Sequence, residues 1–161
     1  MLLKKTVLSS LFLCFIFLLG CASPANQNNA LFYDVGEDGL IPDYSYEFSN
    51  LDSLLDESSK DSKYNLFLEL RFSDRCKIQT LPLKIEFFSL QSDTIFNFDT
   101  DINLFSDNDK FTGKGNFGIY ENKIPVWTCK KIPEGLTLSV STPEKNTDGI
   151  ISIGIIYSRC N

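Results

Sequence analysis

The sequence predicts an all-β fold, a two-layer antiparallel β-sandwich of about nine strands, and three observations lead there. Several segments of the 161-residue chain alternate apolar and polar side chains with period two, the repeat of a strand with one buried face. Aromatic and β-branched residues, including many of the 14 phenylalanines, are concentrated in those segments, with turn-forming residues between them. No amphipathic helix of ordinary length is written in the chain. Many short antiparallel strands bury their apolar faces most simply when two sheets pack together.

The chain opens with a segment that belongs to none of these strands. Lys4 and Lys5 precede an apolar run over 7–19, interrupted only by Ser9 and Ser10 and too short to span a bilayer comfortably. Residues 1–20 therefore read as a cleaved signal peptide. Its ending, Leu18, Leu19, Gly20 and then Cys21, resembles the lipobox of bacterial lipoproteins. That resemblance implies lipid attached to the Cys21 thiol, cleavage before it, and acylation of the new amino terminus with palmitate-class chains. Each buried methylene contributes about 0.8 kcal/mol, so one chain anchors marginally and two or three anchor firmly. Residues 21–30 continue with Ala-Ser-Pro-Ala-Asn-Gln-Asn-Asn, small and polar, and read as a flexible lipidated tether. Ala22 and Ser23 supply neither the aspartate that retains lipoproteins in some inner membranes nor an acidic surface-export run. The expected location is the periplasmic face of the outer membrane.

Residues 31–161 are expected to form a single sandwich domain. Short strands are expected at 31–35 and 44–48. Segment 50–63, NLDSLLDESSKDSK, reads as a polar connection across one end of the sandwich, with one helical turn available at Leu51, Leu54 and Leu55. The clearest strand is 64–72, with Tyr64, Leu66, Leu68, Leu70 and Phe72 facing the core and Asn65, Glu69 and Arg71 facing solvent. Segment 81–89 sets Leu83, Ile85 and Phe87 against Lys84 and Glu86, and 94–101 begins with Ile95 and Phe96 flanking its start. Segment 106–114, SDNDKFTGK, is a turn by composition. Further strands are expected at 117–121, 123–127, 136–141 and 150–157. Trp127, the sole tryptophan, reads as a core residue. Phe67 and Phe88 fall on the polar faces of their strands and mark a second buried face or an interaction surface.

Composition narrows the function. Loss of Lys4 and Lys5 with the signal leaves 13 basic side chains against 21 acidic ones, a net charge of −8. No basic cluster is present to neutralise phosphates, which argues against nucleic acid as a partner. The chain has no histidine, so histidine-dependent triads and HExxH zinc sites are absent. Of five cysteines, Cys14 leaves with the signal and Cys21 takes lipid. Cys76, Cys129 and Cys160 then permit one disulfide in any of three pairings, with buried thiols as the rival reading, and their spacing matches no metal site.

Two motifs invite chemistry and fail on context. Residues 113–118 spell GKGNFG, a literal GxGxxG, but a polar turn precedes it and Pro125 follows where a helix would be required. No nucleotide is expected, and the glycines read as a bulge or tight strand bend. Asp99, Asp101 and Asn103 carry the first spacings of a calcium loop, but Leu104 stands where glycine is needed and Lys110 where a bidentate acid is needed. No catalytic residue, metal ligand or cofactor is expected, apart from the covalent lipid on Cys21.

Three stretches carry a family likeness. KYNLFLELRFSDRCKIQTLPLKIEF (63–87) is similar to a tyrosine-led strand ending in arginine, here Arg71, followed by a loop and a second apolar strand. SDTIFNFD (92–99) and FTGKGNFGIYENKIP (111–125) are similar to an aspartate-threonine segment and a glycine-rich run into a strand. DGIISIGIIY (148–157) is similar to a closing strand with two spaced glycines, here Gly149 and Gly154. In order and spacing these resemble the GldH-type gliding-motility lipoproteins. The chain departs from them at STPEK (141–145), where that family has an arginine-containing turn, and at Cys76, near a usually aromatic position, as a divergent member would.

The resemblance implies a non-catalytic structural or assembly component of a gliding-motility or cell-envelope machine, with other envelope proteins as partners. A periplasmic glycan- or peptide-binding lipoprotein is the alternative, its loops 50–63 and 106–114 gathering at one end of the sandwich to form the site. The lipid anchor yields a direct expectation: Cys21→Ala abolishes membrane partition or signal cleavage, read by fractionation and intact mass. Unchanged partition with normal processing overturns the anchor.

Overall fold

The computed structural model describes residues 30–36, 38–55, 61–89, 92–106, 108 and 110–160. The predicted signal peptide, Cys21 and the tether through residue 29 lie outside them. Among the described residues, nine strands form two antiparallel sheets. They are β1 (Ala30–Asp34), β2 (Tyr46–Phe48), β3 (Tyr64–Ser73), β4 (Thr80–Ser89), β5 (Ser92–Asn103), β6 (Lys114–Asn116), β7 (Ile119–Lys130), β8 (Thr137–Ser141) and β9 (Ile150–Arg159). One sheet has the order β1-β9-β3-β7-β6 and the other β2-β8-β4-β5.

β3 lies in the middle of the five-stranded sheet, where alternation decides its orientation. Tyr64, Leu66, Leu68, Leu70 and Phe72 are all buried, and β4 meets them from the other sheet with Leu81, Leu83, Ile85 and Phe87. β8 adds Leu138 and Val140, and β9 adds Ile153, Ile155 and Tyr157. Trp127 is buried as expected, its ring 5.3 Å from that of Phe87 and 5.7 Å from that of Phe96. Its indole N–H donates to the Lys130 carbonyl at 3.3 Å.

The boundaries differ from the sequence reading in ways that have local causes. Segments expected as separate strands at 117–121 and 123–127 are joined in one strand, β7, because pairing with β3 runs without a shift from Ile119 opposite Ser73 through Asn122 opposite Leu70 to Pro125 opposite Phe67, and the bulge comes only beyond, at Val126. β6, Lys-Gly-Asn, has no apolar alternation to announce it and exists by pairing with β7. Ala30, read as tether, already pairs with Ile156. Segment 50–63 begins with a short 3₁₀ helix, Leu51–Leu54, held by Tyr157 Oη donating to the Leu54 carbonyl at 2.6 Å.

Glu69 requires a larger correction, since the outer face of β3 is not simply solvated. Its side chain is fully buried. In register it stands between Lys123 of β7 and Gly154 of β9, and Gly154 pairs in turn with Phe32 of β1. A Cβ at position 154 would come within 2.1 Å of the Phe32 ring, so glycine is what lets that ring lie against the sheet. Arg71 Nε reaches Glu69 Oε1 at 2.9 Å and Lys123 Nζ reaches Oε2 at 2.8 Å, while the Arg71 guanidinium lies 4.4 Å from the Phe32 ring centre. The carboxylate is thus compensated by two cations, one of which packs against an aromatic ring.

Phe67 and Phe88 are half-buried. Phe67 has Pro125 and Ile156 as register neighbours, which makes a small apolar row beside the ionic one.

The GKGNFG segment is a β-hairpin. Asn116 pairs with Ile119, and the two intervening residues, Phe117 and Gly118, have φ of 53° and 79°, the signature of a type I′ turn. Glycine suits such a position and asparagine commonly occupies the other, but here it is phenylalanine, 95% exposed. A left-handed conformation costs a bulky L-residue about 1 kcal/mol or more, and this ring recovers little of it by burial. Phe117→Asn is therefore expected to raise stability by roughly 1 kcal/mol in urea titration. A fall in stability would show that the ring makes a stabilising contact.

Candidate functional site

The two ends of the sandwich differ. Cys129 and Cys160 form a disulfide at the end where β7 and β9 finish beside the start of β3, with Cα atoms 5.7 Å apart. Of the three pairings the sequence leaves open, this one ties together the two neighbours of β3. Closing a loop with a sequence separation of 31 stabilises by roughly 3 to 4 kcal/mol on the chain-entropy relation. The 3₁₀ helix lies at the same end, with the Gly135 amide donating to Asp52 Oδ1 at 2.9 Å.

The connection after β5 lies at the opposite end. Phe105 bridges to Phe111, whose ring stacks 4.1 Å from Tyr120, and Thr112 Oγ1 donates to the Asn103 carbonyl at 2.6 Å. The loops expected to gather into one binding end are therefore divided between two ends. Their strands dictate this, because β3 and β5 run the same way, and segment 50–63 enters at the start of β3 whereas 106–114 leaves from the end of β5. The Phe117 hairpin is at this second end, beside an open cleft of about 610 Å³ lined by Asp34, Asp74, Arg75, Phe117 and Ile150 among others.

Edges differ as much as ends. β1, β2 and β6 are edge strands of five, three and three residues, and Tyr33 Oη donates to the Glu47 carbonyl at 2.6 Å across the β1–β2 side. The outer edge of β7 beyond Glu121 is interrupted by Pro125, which has no amide hydrogen, and by Cys129 at φ 47°. β5 is unlike all of these. It has twelve residues, contains no proline, and among the described residues pairs only with β4. Its register against β4 is unbroken from Phe96 opposite Phe87 to Asn103 opposite Thr80.

Asp99, Asp101 and Asn103 belong to this edge. A strand points them to one face and spaces successive ones about 6.7 Å apart, so they line the outer surface and do not wrap around a point. Asp99 and Asp101 are exposed, and neither has an ion-pair partner among the described residues, because the neighbouring Lys84 pairs with Glu86 at 3.0 Å. Asp43 joins them around a surface depression of about 340 Å³. No group of three or more metal-ligating side chains occurs among the described residues.

A separate aromatic patch lies at the β1–β2 side. Tyr44 and Tyr33 are about half exposed, each edge-on to Tyr46, and Ile41 beside them is 58% exposed. Sequence reading missed this patch because Tyr33 lies in β1 and Tyr44 in the turn before β2, which belongs to the other sheet. The predicted lipobox residues Leu18, Leu19, Gly20 and Cys21 lie outside the described residues.

In the segment STPEK, 141–145, Thr142 is buried and its hydroxyl donates to the Pro82 carbonyl at 2.7 Å. This hydroxyl ties the segment to β4. No known protein family matches the chain, and no characterised protein matches its sequence.

Cys76 remains a free thiol in the core. Burial pushes its pKa up, opposed in part by a hydrogen bond from the Ile78 backbone. The folded thiol thus holds its proton more tightly than the unfolded one, and this group's contribution to stability is lost as pH rises above the unfolded value of about 8.5. Maleimide at pH 7 is expected to leave Cys76 unlabelled in folded protein and to label it fully in urea, as read by peptide mass mapping. Fast labelling of the folded chain would show that this part of the core opens readily.

Proposed function

We propose that the chain is a membrane-anchored, non-catalytic lipoprotein that serves as a structural or assembly component of a gliding-motility or other cell-envelope machine. The lipid is carried on Cys21, and the sandwich stands at the periplasmic face of the outer membrane. The observation that carries this reading is the β5 edge, twelve residues long and paired on one side only among the described residues. Such an edge binds other proteins by strand addition, and natural folds usually shorten, kink or cover it when it has no partner. The ordered likeness of segments 63–87, 92–99, 111–125 and 148–157 to GldH-type lipoproteins supports the same conclusion.

A second reading, a glycan- or peptide-binding lipoprotein module, is favoured by the exposed Tyr33, Tyr44 and Ile41 patch, since aromatic rings stack on sugar faces. The separation of the two long loops to opposite ends removes the site first expected for it. Affinity purification of the lipidated protein from its native envelope distinguishes the two readings. Reproducible co-purification of envelope proteins, lost when β5 is altered, is the expected result. Recovery of the protein alone, together with strong binding to an oligosaccharide array, would overturn the assembly role.

A further inference from the structure

The β5 edge also carries information about what pairs with it. We infer that β5 accepts an extended segment of a partner protein that presents Lys or Arg at alternate positions, adding a fifth strand to the sheet β2-β8-β4-β5. This deepens the assembly role proposed above and rests on it.

Three features of the strand point to this partner. Over 96–102 the edge is regularly registered, so about 24 Å of backbone is geometrically ready to pair, up to Asn103, whose carbonyl already accepts from Thr112 Oγ1. Its inner-face side chains Phe96, Phe98 and Ile102 are committed to the core, which holds the strand rigid and leaves the outer face to choose the partner. That outer face presents Asn97, Asp99, Asp101 and Asn103, all exposed. A residue on an added strand stands directly across from each of them, within reach of an ion pair. The Lys84 ammonium is already engaged by Glu86, so two carboxylates remain for the incoming strand.

The same acids decide against the simplest alternative, a second copy of this chain. Antiparallel pairing of two β5 strands brings the acidic faces of two copies side by side, and like charges across a strand pair are destabilising. The edge thus refuses itself and selects basic strands, which is discrimination by charge added to the general affinity of backbone pairing.

The test uses the full-length chain in detergent. The probe is a capped octapeptide alternating lysine with valine or threonine, compared with the same peptide bearing glutamate for lysine and with an N-methylated lysine peptide that cannot donate. Expected are saturable binding of the lysine peptide, slowed amide exchange confined to β5, and at least tenfold weaker binding of either control. The double variant Asp99→Lys with Asp101→Lys, both at exposed positions, should keep its thermal midpoint while exchanging its preference to the glutamate peptide. Equal binding of the N-methylated peptide, or an unchanged preference in the double variant, overturns the proposal. Dimerisation through β5 in sedimentation would overturn it in favour of self-pairing. Failure here with Cys21-dependent membrane partition and protein co-purification intact defeats only strand addition. Loss of those two instead defeats the assembly reading itself.

Discussion

The apolar face of β3 is the constraint on which the molecule is built. Tyr64, Leu66, Leu68, Leu70 and Phe72 are all buried, and each such side chain contributes about 1.5 to 3 kcal/mol when removed from water. A strand at the centre of its sheet cannot slip by one residue without turning that whole set outward. The register of β7 and β9 on either side, and so the positions of both ends of the sandwich, follow from it. The disulfide between Cys129 and Cys160 then fastens those two neighbours where they finish together.

The opposite face of the same strand is where the fold takes its greatest electrostatic risk. Burying the Glu69 carboxylate is tolerated because Arg71 and Lys123 both reach it, Arg71 being held against the Phe32 ring. The arrangement couples β1 to the ionic row through Gly154, since any side chain there would lift the Phe32 ring away. β1, the first described strand, is thereby held by a packing contact and a charge cluster together, beyond its five residues of pairing.

The candidate binding features are concentrated at the perimeter. The sandwich closes its β1–β2 side with tyrosines and interrupts β7 with Pro125, yet leaves β5 long and regular with unpaired acids on its outer face. Phe117, exposed at a turn that disfavours it, marks the far end. A long, regular edge of this kind is suited to pairing with an added strand, and the chain has no histidine for the commonest acid-base chemistry.

The fold class and most strands were legible in the sequence because period-two alternation is a local property. In 64–72 every second residue is apolar, and no tertiary fact was needed to place it. The lipobox-like string ending at Cys21 is likewise contiguous, but it lies outside the described residues and stands as an expectation from sequence. Glu69, the pairing of Cys129 with Cys160, the split of the two long loops and the aromatic patch of Tyr33 and Tyr44 were not legible. Each depends on which strands become neighbours, and residues dozens of positions apart in the chain decide that. The sequence by itself determined that strands form and which faces of them are apolar. The tertiary structure alone decided which edge is left open, because an edge is defined by the absence of a neighbour and no residue encodes an absence locally.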